Sequence, residues 1–133
     1  MLKNENIFLK KKILIYGLGK SGLSTYQCLN QFSEIFLFDD KKKFIKNTKI
    51  KKKLIKHKDL IDKVFDYIII SPGIDINRCT LSNYLKKNLK KINTDLDIFY
   101  SLYQSNKNIT ITGTNGKSTT AKILHEVLKD QKF

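Results

Sequence analysis

The chain has 133 residues, of which 41% are hydrophobic and 29% are charged, and its formal net charge is +14. This length suits about one domain with a core of its own. No apolar run approaches the roughly 20 residues that a membrane-spanning helix needs, and the charged N-terminal stretch does not resemble a signal peptide. Cys28 and Cys79 lack metal-ligand spacing and are typical of free thiols in a reducing compartment. We therefore expect a cytoplasmic protein without a membrane partner.

The positive charge raises the question of nucleic-acid binding, because lysine clusters occupy 10–12, 41–43 and 51–53. Of the 26 basic residues, however, only Arg78 is an arginine. Proteins that clamp phosphates or read base edges use the arginine fork as well. The abundance of Lys, Ile and Asn is typical of an AT-rich coding bias, so we interpret the clusters as solvated faces and expect no nucleic-acid partner. A non-catalytic basic binding module stays open as an alternative, favoured by nucleic-acid affinity that falls steeply with salt.

The first predicted element is a strand that leads into a glycine-rich turn. The apolar run 13–16 is typical of a parallel strand buried on both faces. The stretch YGLGKSGLS, residues 16–24, follows with the spacing G-x-G-x-x-G, which allows a tight turn and close approach of a ligand to the backbone. Ser21 is predicted to cap the next helix, whose free N–H groups face an anion. The predicted buried side of this helix is Leu23, Tyr26 and Leu29.

A second predicted strand, 34–38, ends in Asp39 and Asp40, about twenty residues after the glycines. NAD-dependent enzymes keep their ribose-binding acid at this distance. The pattern alone leaves three interpretations open: an NAD(P)-binding domain, a site for another nucleotide-like ligand, and a turn that only packs a helix against a strand.

Strands and helices continue to alternate up to residue 102. The predicted elements are one or two short helices around a short strand in 41–63, a buried strand at 66–70 ended by Ser71-Pro72-Gly73, a helix in 78–88 with Leu81 and Leu85 inward, a short strand at 91–93, and a helix with Leu96, Phe99 and Leu102. This alternation predicts an α/β fold with a Rossmann-like, doubly wound parallel sheet. In such sheets ligands bind beyond the carboxyl ends of the strands.

A second glycine loop follows. Segment 108–112 is predicted to be a strand, GTNGKST at 113–119 follows it, and a helix comes next with Ile123, Leu124, Val127 and Leu128 on one side. The phosphate-loop arrangement consists of a strand, a glycine loop that ends in Lys-Ser/Thr, and a helix. The loop in this chain is two residues shorter than the standard pattern. Its backbone N–H groups can hold phosphate oxygens, Lys117 can reach the terminal phosphates, and the Ser118 hydroxyl can ligate Mg²⁺. We expect a Rossmann-like domain at 1–93, a connecting helix or linker at 94–107, and the beginning of a second, P-loop-type α/β domain at 108–133.

GTNGKST resembles the ATP loop of the Mur ligases, the ATP-dependent amide-forming enzymes of peptidoglycan synthesis. GLGKSGLS, a strand ending in Asp, SPGI at 71–74 and an acidic segment before the ATP loop also follow that family's order. They are most similar to the member that adds D-glutamate to UDP-N-acetylmuramoyl-L-alanine, and the resemblance covers roughly 12–131. It implies a monomeric ligase that uses ATP and Mg²⁺, in which the Rossmann-like domain binds the UDP end of the substrate instead of NAD.

The resemblance also implies roles for individual residues, with Lys117 as the catalytic residue on the phosphates and Ser118 as the Mg²⁺ ligand. It assigns ATP binding to Gly113, Thr114, Asn115, Gly116, Lys117, Ser118 and Thr119. It assigns UDP binding to Gly19, Lys20, Ser21, Asp39, Asp40, Lys41 and Gly73, with the two aspartates at the uracil edge.

The chain departs from the family pattern at three points. Segment 94–99 reads TDLDIF where the family usually has G-[DE]-x-E-x-F, so Asp97 is either a functional acid or part of a plain helix start, and the role of Asp95 is equally open. Asp40 stands where a hydroxyl residue is common. The family's enzymes have three domains, so the resemblance implies an N-terminal part that lacks the D-glutamate domain and most metal ligands, and that is inactive alone. His57 and His125 are interpreted as surface residues.

Overall fold

The protein forms a four-stranded, all-parallel sheet in the strand order β2-β1-β3-β4. The computed structural model describes residues 7–41 and 48–131. The strands are β1 (Lys12–Tyr16), β2 (Glu34–Phe38), β3 (Tyr67–Ile70) and β4 (Ile92–Asn93). The central strand β1 pairs in parallel with β2 on one side and β3 on the other, so Ile13 lies beside both Ile35 and Tyr67. The predicted Rossmann-like α/β fold is confirmed.

Helical crossovers connect the strands, as parallel neighbours require. The helices are α1 (Lys20–Leu29), α2 (Thr48–Lys53), α3 (His57–Ile61), α4 (Ser82–Lys87), α5 (Asp95–Leu102) and α6 (Lys117–Asp130), and a 3-10 helix spans Leu89–Lys91. In place of the short strand predicted within 41–63, a single parallel bridge joins Leu54 to Leu37. Part of that prediction, 42–47, lies outside the described residues. No helix within the described ranges is long and apolar enough to cross a membrane.

The core has two halves because successive residues of β1 point to opposite faces of the sheet. Leu14 and Tyr16 lie on one face with Leu85 of α4 and with Leu81, the N-cap residue of that helix, both of which point inward as predicted. The second face contains the following buried residues: Phe8, Ile13, Ile15, Leu29, Ile35, Leu37, Ile69 and Ile98. Both faces of the sheet are therefore covered, which explains the continuous apolar runs of its strands.

Helix α1 begins earlier than predicted. Gly19 is its N-cap residue and makes no side-chain cap bond, while its carbonyl accepts a hydrogen bond from the Leu23 N–H at 3.0 Å. Ser21 therefore lies within the first turn, and its predicted role as the cap is wrong. The buried residues of the helix are Gly22, Thr25 and Leu29, and Leu23 and Tyr26 are only partly buried.

Of the three residues predicted for the inward side of helix α5, only Leu102 packs against the core. Ile98 is its buried residue and packs with the second core half, while the exposed fractions of Leu96 and Phe99 are 74% and 51%. The helix starts with a capping box: the Thr94 backbone N–H donates to the Asp97 carboxylate at 2.7 Å, and the Asp97 N–H donates to the Thr94 hydroxyl. Asp97 is thus part of a helix start, one of the two interpretations left open. The domain boundaries near 93 and 107 stay predictions.

The last part of the chain forms the predicted helix but not the predicted strand. Segment 108–112 has no strand structure, and its residues are exposed except for the partly buried Ile111. A strand needs a neighbour for its backbone N–H and C=O groups, and no described residue pairs with this segment. Helix α6 has no buried residue, and the exposed fractions of Ile123 and Val127 on its apolar side are 60% and 52%.

Candidate functional site

A groove lies where the carboxyl ends of β1, β2 and β3 meet at one edge of the sheet. Its volume is about 390 Å³, and it is lined by the turns that follow these three strands. The groove brings together five of the residues predicted for UDP binding, namely Gly19, Asp39, Asp40, Lys41 and Gly73. Its remaining lining residues are Gly17, Ser71, Ile74, Asp75, Arg78 and Cys79. The strand order changes direction at this edge, where open α/β sheets bind their ligands.

The glycine turn is built for close packing. Gly17 has a φ of +91°, a conformation that favours glycine, and its N–H donates to the Phe38 carbonyl at 2.9 Å. The Ser71 hydroxyl donates to the Gly17 carbonyl at 2.9 Å. A Cβ atom on Gly22 would lie 1.9 Å from the same carbonyl oxygen. The first and third glycines of the motif thus let α1 and the turn after β3 close on the end of β1.

Asp39 ties the glycine turn to the turn after β2. Its Oδ2 accepts a hydrogen bond from the Leu18 N–H at 2.6 Å, and its Oδ1 accepts one from the Lys41 N–H at 2.7 Å. The carboxylate is partly buried, where such charge-assisted hydrogen bonds are strong. Asp39 therefore holds two walls of the groove together.

Asp40 has a different environment. The Tyr16 hydroxyl donates to Asp40 Oδ2 at 2.5 Å, and Asp40 itself is exposed. The Tyr16 side chain is fully buried, and its ring packs edge-to-face on Phe38 with the centroids 5.2 Å apart. Burial, and then the hydrogen bond to Asp40, raise the pKa of Tyr16 well above its usual range. Sequence reasoning missed this pair; the available signal was a tyrosine at the end of an otherwise aliphatic buried strand.

Two cations line the groove beside its acids. Arg78 Nε lies 3.8 Å from Asp75 Oδ2, and both side chains are largely exposed. Lys41 is exposed at the end of the turn that Asp39 holds. Exposed ion pairs contribute little to stability, so Arg78 is free to move toward an anionic ligand.

Lys20 and Ser21 are not brought into the groove. They line a neighbouring pocket of about 370 Å³ between α1 and α5, together with Thr25, Cys28 and Ile98 among others. Lys20 and Ser21 lie outside the groove because α1 begins at Lys20, so both residues are already part of the helix. Successive side chains of a helix are rotated by about 100°, and those of Lys20 and Ser21 therefore follow the helix surface.

The second glycine loop contains two glycines with positive φ and leads directly into helix α6. Gly113 and Gly116 have φ values of +145° and +77°, and Gly116 is the N-cap of α6. Lys117 Nζ folds back onto the loop, where it donates to the carbonyl of Gly113 and, at 3.4 Å, to that of Thr114. All of the predicted ATP-binding residues, 113–119, are exposed. Within the described ranges, no group of three or more His, Cys, Asp or Glu residues could hold a metal ion.

Several known proteins that match the chain have the same name. It is 34% identical over 130 residues to UDP-N-acetylmuramoylalanine–D-glutamate ligase from Rickettsia prowazekii, covering 92% of the chain and 28% of that protein. The ligase of the same name from Rickettsia conorii is 32% identical over 126 residues, and the match covers 92% of this chain and 25% of that protein. The ligase of this name from Listeria monocytogenes serovar 1/2a is 30% identical over 140 residues, and the match covers 98% of this chain and 30% of that protein. No protein-family model matches the chain.

The two glycine loops and these matches indicate the class of the Mur ligases, and the chain is similar to members of this class over 92–98% of its own length. The particular members that it matches are the D-glutamate ligases, as the motifs predict. The chain spans about 25–30% of the length of these relatives, as expected for their N-terminal part.

Among solved structures, the crystal structure of UDP-D-quinovosamine 4-dehydrogenase from Vibrio fischeri matches with a TM-score of 0.44 and 22% identity, covering 77% of this chain and 95% of that one. At this TM-score the likeness adds nothing to the fold described above.

Proposed function

We propose that the chain forms the uridine-nucleotide-binding part, and the beginning of the ATP-binding part, of a ligase that adds D-glutamate to UDP-N-acetylmuramoyl-L-alanine. The observation that carries this proposal is the groove at the carboxyl edge of the sheet, which gathers the glycine turn, the Asp39–Lys41 turn and Gly73. The name of the relatives supports the choice of substrates. Activity of the whole enzyme is part of the proposal, because the chain spans only 25–30% of their length.

The chemistry of the groove suits a uridine diphosphate group. Uracil presents one ring N–H donor between two carbonyl acceptors, so a carboxylate and neighbouring backbone N–H groups complement its edge. The two aspartates supply such carboxylates at the end of β2. The diphosphate is an anion, for which the N–H groups of the glycine turn and the cations Lys41 and Arg78 are suitable partners.

The phosphate loop supports ATP as the second ligand. The left-handed Gly116, the start of the 14-residue helix α6 and the ammonium of Lys117 fit a phosphate group between them. Lys117 would exchange the Gly113 and Thr114 carbonyls for phosphate oxygens, and Ser118 would contribute its hydroxyl to Mg²⁺. ATP would supply the γ-phosphoryl group to the substrate carboxylate and leave as ADP, Mg²⁺ would neutralise the phosphate charge, and the amine of D-glutamate would then displace phosphate to form the amide.

Asp39 also bears on the NAD alternative. Both of its oxygens already accept a backbone N–H in the groove, so only the second lone pair of each oxygen is left for ribose hydroxyls. This arrangement favours a ligand that uses Asp39 as a wall support and contacts Asp40 instead.

Calorimetry on the full chain tests the proposal, with UDP-N-acetylmuramoyl-L-alanine and NADH as the two ligands. We expect binding of the UDP-sugar and none of NADH. Asp39→Ala should weaken binding of the UDP-sugar by about 1.5–3 kcal/mol, roughly 10- to 150-fold, because it removes the charge-assisted hydrogen bonds from Leu18 and Lys41 that hold two walls of the groove in place.

The matched control is Asp66→Ala, because Asp66 accepts the Lys12 N–H at 2.8 Å but at the opposite end of the sheet. Tight NADH binding without any response to the UDP-sugar would overturn the proposal and support the dehydrogenase-type alternative. Nucleic-acid affinity that collapses with salt would support the basic binding module instead. We also expect the chain alone to release no phosphate from ATP in the presence of both substrates.

A further inference from the structure

The two neighbouring aspartates of the groove differ in their spare capacity to accept hydrogen bonds. Each oxygen of Asp39 already accepts a backbone N–H, from Leu18 and Lys41. Among the described residues, Asp40 has a single hydrogen-bond partner, the Tyr16 hydroxyl on Oδ2. The other oxygen of Asp40 therefore keeps its full capacity to accept from a ligand.

Tyr16 is a fixed point directly before Gly17, the first residue of the glycine turn that lines the groove. It is the last residue of the central strand, fully buried, and its ring is held against Phe38. Its carbonyl accepts the Ser71 N–H at 2.9 Å, which anchors the backbone at the same place. Because the pKa of Tyr16 is raised, chiefly by burial, its hydroxyl stays protonated and donates throughout the pH range of ordinary assays.

An exposed aspartate without such a partner samples several rotamers and loses that freedom when a ligand binds. The 2.5 Å bond from a buried hydroxyl removes this freedom in advance. A carboxylate only accepts hydrogen bonds, so the ligand group that it selects is a donor. In a uridine ligand the ring N–H is the donor on the base.

We propose that Tyr16 is a positioning residue that orients Asp40, so that the free oxygen of Asp40 accepts the ring N–H of uracil. This inference rests on the proposed function, since it assigns a base contact within the same groove. It makes Tyr16 and Asp40 a unit that determines specificity for the base, while Asp39 supports the walls.

The test is calorimetry of the full chain with UDP and with N3-methyl-UDP, in which the ring N–H is replaced. Tyr16→Phe removes only the hydroxyl and is expected to weaken UDP about 3- to 10-fold, the effect of freeing one side chain. The matched control is Tyr84→Phe, which removes a hydroxyl that donates to the Lys63 carbonyl at 2.9 Å, outside the groove. The control should bind UDP as the unaltered chain does.

Base selectivity separates positioning from general damage. The unaltered chain should prefer UDP to N3-methyl-UDP, and Tyr16→Phe should lose most of that preference. In Asp40→Ala, which leaves Tyr16 no acceptor at this position, the added Tyr16→Phe change should have no further effect, and this keeps the test decisive if one variant folds poorly.

Undiminished selectivity in Tyr16→Phe, or equal weakening of both ligands, would overturn the inference and leave the proposed function standing. Absence of UDP binding by the unaltered chain would overturn both.

Discussion

Replacing Gly22 by alanine tests the packing that shapes the glycine turn. The added Cβ would lie 1.9 Å from the Gly17 carbonyl oxygen, where ordinary contacts begin at 3.4 Å. Helix α1 and the turn would therefore have to separate by roughly 1.5 Å. The neighbouring atom is backbone at the end of the central strand, so it cannot move aside as a flexible side chain can. The substitution should therefore disturb the site and the core together.

The expected loss of stability is about 3 kcal/mol, the upper part of the usual range for overpacking, because the contact is with backbone. Gly19→Ala is the matched control in the same motif. A Cβ at Gly19 meets nothing within 4 Å, and its φ of −71° suits any residue. Its cost is limited to a poorer N-cap, at most about 1 kcal/mol.

Urea unfolding followed by far-ultraviolet circular dichroism measures both changes. With a slope of about 1–2 kcal/mol per molar urea, a loss of 3 kcal/mol lowers the midpoint by roughly 1.5–3 M. Gly19→Ala should shift it by less than about a third of that. Equal midpoints for the two variants would refute the close contact between α1 and the turn.

Three further predictions concern the other parts of the chain. Asp97→Ala should destabilise the fold by about 0.5–2 kcal/mol through loss of the capping box. Hydrogen bonds from the backbone and then the side chain of Thr94 lower the pKa of Asp97, so this stabilisation is complete above the ordinary aspartate pKa of 3.8 and is lost as pH falls through the lowered pKa. Urea titrations of both proteins at pH 6 and pH 2 measure this dependence. Amide hydrogens of α6 should exchange far faster than those of β1 in mass-spectrometric exchange, since a 14-residue helix without buried residues is marginal by itself, and slow exchange there would contradict this. In an enzyme restored to full length, Lys117→Ala should lower turnover about 10²- to 10³-fold with UDP-substrate binding nearly intact, and unchanged turnover would show that GTNGKST is not the ATP loop.

Much of the fold could be predicted because buried parallel strands have a simple signature. The apolar runs of β1, β2 and β3 lie close to their predicted places, since both faces of the sheet exclude water. Helix faces were less certain. Two sets of apolar residues in α5 fit a helical period: Leu96, Phe99 and Leu102, or Ile98 and Leu102. Only contact with the core of the sheet decides which set is buried.

The site was predictable as a place but only partly in its contacts. The turns after parallel strands meet at one edge, which brought five predicted residues into one groove. The bond between Tyr16 and Asp40 joins residues 24 apart and depends on strand register, so a tyrosine at the end of an aliphatic strand indicates a polar contact but does not identify its partner. Segment 108–112 has the composition of a strand, yet strand formation requires a neighbour that composition does not describe.

The central claim is that the groove at the carboxyl edge of the sheet binds the UDP end of the substrate. Amide chemical shifts measured during titration of the ¹⁵N-labelled chain with UDP-N-acetylmuramoyl-L-alanine test it most directly. The account predicts saturable shifts at Gly17, Gly19, Lys41 and Gly73, with those of 113–116 unchanged until ATP and Mg²⁺ are added. Shifts confined to 113–116, or an unchanged groove at saturating ligand, would contradict it.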